Sequence, residues 1–152
     1  MKSTILIGVA GALLTGVMIG VQSSLSNRSG QLVGALRTGL LTNILGGGCA
    51  LLVLLLLLFA RRIGWEVPPR QALIMLVTSG ALGIFIIMGV SFSLRYTGVV
   101  AGLGTIILGQ MLISNLVDAF GWLGLARIPF TWQRALGLCL LGAAVFFLLP
   151  RK

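Results

Sequence analysis

Gln110, Ser114 and Asp118 are spaced four residues apart in the stretch LGQMLISNLVDAFGWLG, residues 108–124. On a helix that spacing sets an amide, a hydroxyl and a carboxylate in one row, flanked by Met111 and Asn115. Such a row can hydrogen-bond a polar solute, exchange a proton or hold a cation. At the helical rise it extends over roughly 12 Å. The residues around it are apolar enough to cross a bilayer. An ionised Asp at the centre of a membrane helix costs about 2.5–3.5 kcal/mol on insertion scales, less toward the interface. A carboxylate near a helix C-terminus is also opposed by the helix dipole. Water, a proton or a counter-charge has to offset these costs.

The elements that must position this row follow from composition. Of 152 residues, 58% are hydrophobic and 9% are charged; there is no His, and the acids are Glu66 and Asp118. A soluble domain usually carries about a quarter charged residues, so this chain cannot coat itself for water. The reading is an all-α, polytopic membrane protein forming one membrane domain over residues 1–152. Apolar segments of about 20 residues bounded by charge, Pro or Gly predict transmembrane helices over residues 4–25, 38–60, 72–94, 98–120 and 133–149. The last, ending at Pro150, is the shortest. The start, MKSTILIGVAGALL, has the form of a secretory signal, but its apolar character runs on to Val21 and predicts a first membrane helix.

A net charge of +9 does not point to nucleic acid. The Arg residues are scattered at segment ends, without an aromatic-interleaved patch. An enzyme is disfavoured too, because the chain has no metal-ligand cluster, no acidic pair on one helix and no phosphate-binding Gly loop. Cys49 and Cys139 fall within spans, where a thiol packs as a small hydrophobe. Neither a disulfide nor a metal is expected.

Five spans put the termini on opposite sides. One side then holds Lys2, Arg61, Arg62, Arg70, Arg127 and Arg134; the other holds Arg28, Arg37, Arg95, Arg151 and Lys152. Orientation normally follows an excess of Lys and Arg in short cytoplasmic loops, and six against five is almost no excess. Either one determinant such as Arg61–Arg62 fixes the orientation, or the chain inserts both ways and pairs head-to-tail with its own copy. Such a pair is a ten-helix inverted repeat, the architecture of many alternating-access transporters.

Gly8, Ala12, Gly16, Gly20 and Ser24 recur every four residues in the first helix, and Gly98 and Gly102 repeat the spacing in the fourth. Stripes of small residues let membrane helices approach closely, so these positions are read as helix packing. Leu51–Phe59 is bulky all round and is expected to face lipid. Trp65, Trp122 and Trp132 are placed as interfacial anchors. Asn43 is expected to serve packing, and Ser91 and Ser93 to bond their own helix backbone.

Two stretches, GVMIGVQSSLSNRSG (residues 16–30) and GQMLISNLVDAFGWLG (residues 109–124), resemble the signature regions of the YdcZ-like family of bacterial inner-membrane transporters, within the drug/metabolite transporter superfamily. The resemblance covers essentially the whole chain. It implies a five-helix unit in the bacterial inner membrane that works as an antiparallel pair: with itself, with an oppositely oriented homologous subunit, or as a fused ten-helix chain. Gln22 and Gln110 match the signatures, and Asn27 stands where a family Asn follows the first-helix Gln.

These readings converge on a secondary transporter, an exporter of a small organic metabolite or drug-like solute. Gln22, Asn27, Gln110 and Ser114 are the expected lining of its cavity. Asp118 either pairs with Arg127 or Arg134 at the interface, or lines a wet cavity as a proton carrier or a charge facing the partner's Arg28 or the partner's Arg95. No cofactor is expected, beyond the proton in the coupled case. A passive channel is the alternative within transport, although no filter-like motif or ring of like charges is present. A non-transporting assembly subunit is the alternative outside it.

Overall fold

The computed structural model describes residues 2–62, 64 and 67–149. Trp65, Glu66, Pro150, Arg151 and Lys152, which figure in the reading above, lie outside the described residues. The elements are α1 (Lys2–Val33), α2 (Ala35–Phe59), α3 (Arg70–Thr97), α4 (Val99–Phe120), a 3-10 turn at Trp122–Gly124 and α5 (Trp132–Leu148). No strand occurs among the described residues. The helices α1 to α4 are each long and apolar enough to cross a membrane, and α5 is a shorter apolar helix of 17 residues. The chain is an all-α membrane protein.

Its burial pattern is the reverse of a soluble protein's. Ser23, Ser26, Asn27, Thr38 and Ser91 are buried, whereas the whole run Leu51–Val53 and most bulky apolar side chains of every helix are exposed. In water such a surface would aggregate. Hydrocarbon solvates it without cost, and polar groups gain by turning inward.

The first helix does not end near Leu25, the expected bound; it continues through the polar residues Ser26–Gln31 to Val33. Packing supplies the reason. Gly30 comes so close to α3 that a Cβ there would lie 2.8 Å from the Cβ of Ser91, and the Ser91 hydroxyl donates to the Ser26 carbonyl at 2.8 Å. Ser91 therefore bonds across helices and not to its own backbone, as the sequence suggested. Ser93 also departs from that expectation: its buried hydroxyl has no partner among the described residues.

Two joints are a single glycine each. Gly34 (φ 89°, ψ 149°) joins α1 to α2, and Gly98 (φ 77°, ψ 167°) joins α3 to α4. At the first, the Gly34 N–H donates to Gly30 and its carbonyl accepts from Thr38, both at 3.0 Å. At the second, Gly98 repeats this with Leu94 and Gly102, again at 3.0 Å. The chain turns without leaving these joint groups unpaired, in a backbone region open essentially to Gly alone.

The chain forms two compact units, Met1–Phe92 and Ser93–Lys152. In the first, α3 runs antiparallel to α2: a Cβ on Gly39 would meet the Ile84 carbonyl at 2.7 Å, and one on Gly83 would meet Asn43 Oδ1 at 2.8 Å. In the second, a Cβ on Gly102 would lie 2.7 Å from both Leu94 Cδ1 and Thr97 Oγ1. Antiparallel α4 and α5 touch at one end through Gly104 and Val145, and at the other through Asp118 and Arg134.

Candidate functional site

A polar cavity lies in each unit. That of the first unit has a volume of about 270 Å³. Its polar groups are Gln22 of α1 with Thr42 and Asn43 of α2, and Gly46, Gly47 and Gly83 shape its wall. Gly47 is the central residue of α2, so the cavity sits at mid-depth of a spanning helix. Asn43 Nδ2 donates to the Gly39 carbonyl at 2.8 Å, which turns its Oδ1 toward the notch left by Gly83. The glycines provide the room, and two amides and a hydroxyl provide neutral donors and acceptors.

The cavity of the second unit, about 440 Å³, lies between α4 and α5. Ser114, Asn115, Asp118 and Arg134 form its polar wall, and Met111, Leu138 and Leu141 its apolar wall. Arg134 Nη1 donates to Asp118 Oδ2 at 2.9 Å and reaches Asn115 Oδ1 at 3.5 Å. Asn115 Nδ2 donates to the Met111 carbonyl at 2.8 Å, which fixes the amide with its oxygen toward Arg134. The ion pair is about one-third exposed on both partners.

The FGWLG sequence builds the frame behind this pair. Gly121 ends α4 in the left-handed conformation (φ 64°), Gly124 takes φ 77°, and Phe120 stacks on Trp122 at 5.5 Å. The chain then returns so that the Ile128 N–H donates to the Asp118 carbonyl and Arg127 Nε donates to the Ala119 carbonyl, each at 2.9 Å. Carbonyls that a helix end leaves orphaned are thus satisfied, and Arg127 and Arg134 place positive charge at the negative end of the α4 dipole. Asp118 has its counter-charge inside the chain, in Arg134.

The predicted lining residues are not brought into one cavity of either unit. Gln22 lines the first cavity and Ser114 the second. Asn27 is buried, and its Oδ1 has no hydrogen-bond partner among the described residues. Gln110 is exposed; at 3.6 residues per turn it lies roughly 90° from the middle of the Met111–Ser114–Asn115–Asp118 face. Arg28 is exposed and donates from Nη1 to Gln31 Oε1 at 3.2 Å, one turn along its own helix. Of the packing stripe, Gly8, Gly16 and Gly20 have nothing within 4 Å of an added Cβ, and Ala12 is exposed. Gly98 is a joint, whereas Gly102 packs closely.

Sequence reasoning passed over Thr42, the Gly46–Gly47 wall and Gly137, and favoured packing over a solute path for Asn43. The available signal was the triple glycine at residues 46–48, one helical turn after Asn43.

Among known proteins, residues 7–147 match the family model described as "Putative inner membrane exporter, YdcZ". No curated protein and no solved structure matched the chain. The match spans nearly every element above, from α1 to the last turn of α5, and the exposed apolar helices agree with the membrane it names. The chain belongs to the YdcZ family of inner-membrane exporters.

Proposed function

We propose that this chain is a secondary transporter that exports a small organic solute, working as two antiparallel copies with alternating access. The family is one of exporters rather than enzymes. The observation that carries the proposal is the mid-depth cavity where Gln22, Thr42 and Asn43 face space left by three glycines. Polar side chains at that depth cost free energy unless they serve one another, water or a solute. Ligand sites of transporters lie near the bilayer midplane.

Two features support the pairing of copies. Gly8, Gly11, Gly16 and Gly20 of α1 have nothing within 4 Å of an added Cβ, and Gln110, halfway along α4, is exposed. An amide left in hydrocarbon is costly, and a second copy would cover it. The near-balance of Lys and Arg between the two sides supports opposite orientations of the two copies. Uphill export needs an energy source; the proposed one is a proton, with Asp118 as the proposed carrier.

The test is flux into proteoliposomes under an imposed pH gradient, with a panel of radiolabelled neutral and zwitterionic solutes. The expected result is accumulation above the external concentration, at least tenfold lower in Gln22→Leu. Flux that only equilibrates the solute would replace this reading with a channel. No flux from any solute would favour a non-transporting assembly subunit.

A further inference from the structure

The cavity between α4 and α5 has a chemistry of its own. Its ion pair is monodentate: Arg134 uses Nη1 alone, on Asp118 Oδ2 and Asn115 Oδ1. Nε and Nη2 of Arg134 and Oδ1 of Asp118 make no hydrogen bond among the described residues. A guanidinium presents five N–H donors and a carboxylate about four acceptor sites, so both partners keep free valence toward a cavity of about 440 Å³. Met111 on the helix of Asp118, and Leu138 and Leu141 on the helix of Arg134, line the same cavity further along, with Gly137 leaving room between the helices.

From this arrangement we infer that the cavity binds a small zwitterion with an aliphatic side chain, of the α-amino-acid class. This site is other than the Gln22 cavity that carries the transport reading, and the inference rests on that reading for its biological role. The ligand carboxylate takes the unused N–H groups of Arg134, a fork suited to two oxygens. The ligand ammonium takes Asp118 Oδ1, and the aliphatic side chain lies on Met111, Leu138 and Leu141. Charge balance selects the class. A lone anion would engage Arg134 and compete with Asp118 for it; a lone cation would do the reverse. Removing one partner of a half-buried pair strands the other charge. A zwitterion adds one charge of each sign and completes an alternating set of four without breaking the existing bond.

Purified protein in a maltoside detergent free of lipid provides the test, with thermal unfolding as the readout. The probes are L-leucine, 4-methylpentanoate, which lacks the ammonium, and 3-methylbutylamine, which lacks the carboxylate. Leucine should stabilise saturably, and each single-charge analogue should need at least tenfold higher concentration for the same shift. Arg134→Gln and Asp118→Asn should each remove the leucine response. Because these may also weaken the α4–α5 contact, Met111→Trp serves as the second variant: it fills the cavity, keeps both charges, and should also abolish the response. Equal stabilisation by either analogue, no response to leucine, or a response surviving Met111→Trp would overturn the inference. Phosphatidylethanolamine, a zwitterionic headgroup, is added in a separate arm. Stabilisation by that lipid with none by leucine would overturn the assignment to a free solute. Leucine binding without flux of any solute would uphold this site and sink the transport reading; flux of other solutes without leucine binding would do the opposite.

Discussion

Asn43 of α2 occupies the space that a side chain at position 83 of α3 would take. A Cβ on Gly83 would lie 2.8 Å from Asn43 Oδ1, while Asn43 Nδ2 is tied to the Gly39 carbonyl of its own helix. Amide and glycine are therefore one feature seen from two helices. Gly83→Ala should destabilise the detergent-solubilised protein by about 1–3 kcal/mol, the usual cost of overpacking. Asn43→Ala in the same chain should recover part of that cost. A coupling of about 0.5–3 kcal/mol in thermal or denaturant unfolding checks the contact. Strict additivity of the two substitutions would mean that Asn43 does not sit in the Gly83 notch.

Gly34 and Gly98 share a backbone conformation that L side chains rarely adopt. Ala at either joint should cost of the order of 1–3 kcal/mol, although neither position has an atom within 4 Å of the added Cβ. The cost is therefore conformational and not steric. Gly→Ala at Gly16, which is helical and equally open, is the control. It should cost nothing within the single chain and should gain slightly from helix propensity. Unfolding midpoints of the three variants separate the cases, and a Gly34→Ala midpoint equal to that of the unmodified chain would refute the strain.

The joints also show what was legible in the sequence and what was not. Five apolar segments are readable because a bilayer imposes length and composition on each helix independently of its neighbours. The extension of α1 through Asn27 and Arg28 was not readable, because SSLSNRSG is loop-like in isolation and becomes helical by packing on Ser91. Likewise, the four-residue row Gln110–Ser114–Asp118 was visible, but not where α5 would lie against it. Arg134 covers the Ser114–Asp118 end and leaves Gln110 on another face. Periodicity places residues around one helix; only the neighbouring helix decides which of them line a cavity. Gly121 and Gly124 stood out in the sequence as part of FGWLG, yet their role, returning the chain to cap Asp118 and Ala119, needs the backbone angles.

Dual insertion is the expected state of this chain in the inner membrane. With Cys49 and Cys139 replaced by Ala, Thr131→Cys offers an exposed thiol in the connection before α5. A membrane-impermeant thiol reagent should label it comparably from the two faces of the inner membrane. Because the charge bias is so small, replacing Arg61 and Arg62 together should tip the population, moving Thr131→Cys toward the periplasmic face. Labelling from one face only, unchanged by these replacements, would rule out an antiparallel pair made of this chain alone.

Gln22 and Gln110 are the two signature amides, and the structure gives them different surroundings, which separates their expected roles. Gln22 faces a cavity with Thr42 and Asn43. Gln22→Leu should lower flux at least tenfold while leaving cross-linking between copies intact. Gln110 lines neither polar cavity and is exposed at the middle of α4. Its amide costs free energy against lipid, so the proposed pairing gives it a surface of the second copy to bond. Interhelical hydrogen bonds of this kind contribute about 0.6–2 kcal/mol. Gln110→Leu should therefore reduce cross-linking yield between copies, and lower flux only as far as the pair is lost. Overexpression, which raises copy number in the membrane, should restore flux to Gln110→Leu and not to Gln22→Leu. If Gln110→Leu leaves both cross-linking and flux untouched, the amide faces lipid, and the case for pairing through this face of α4 fails.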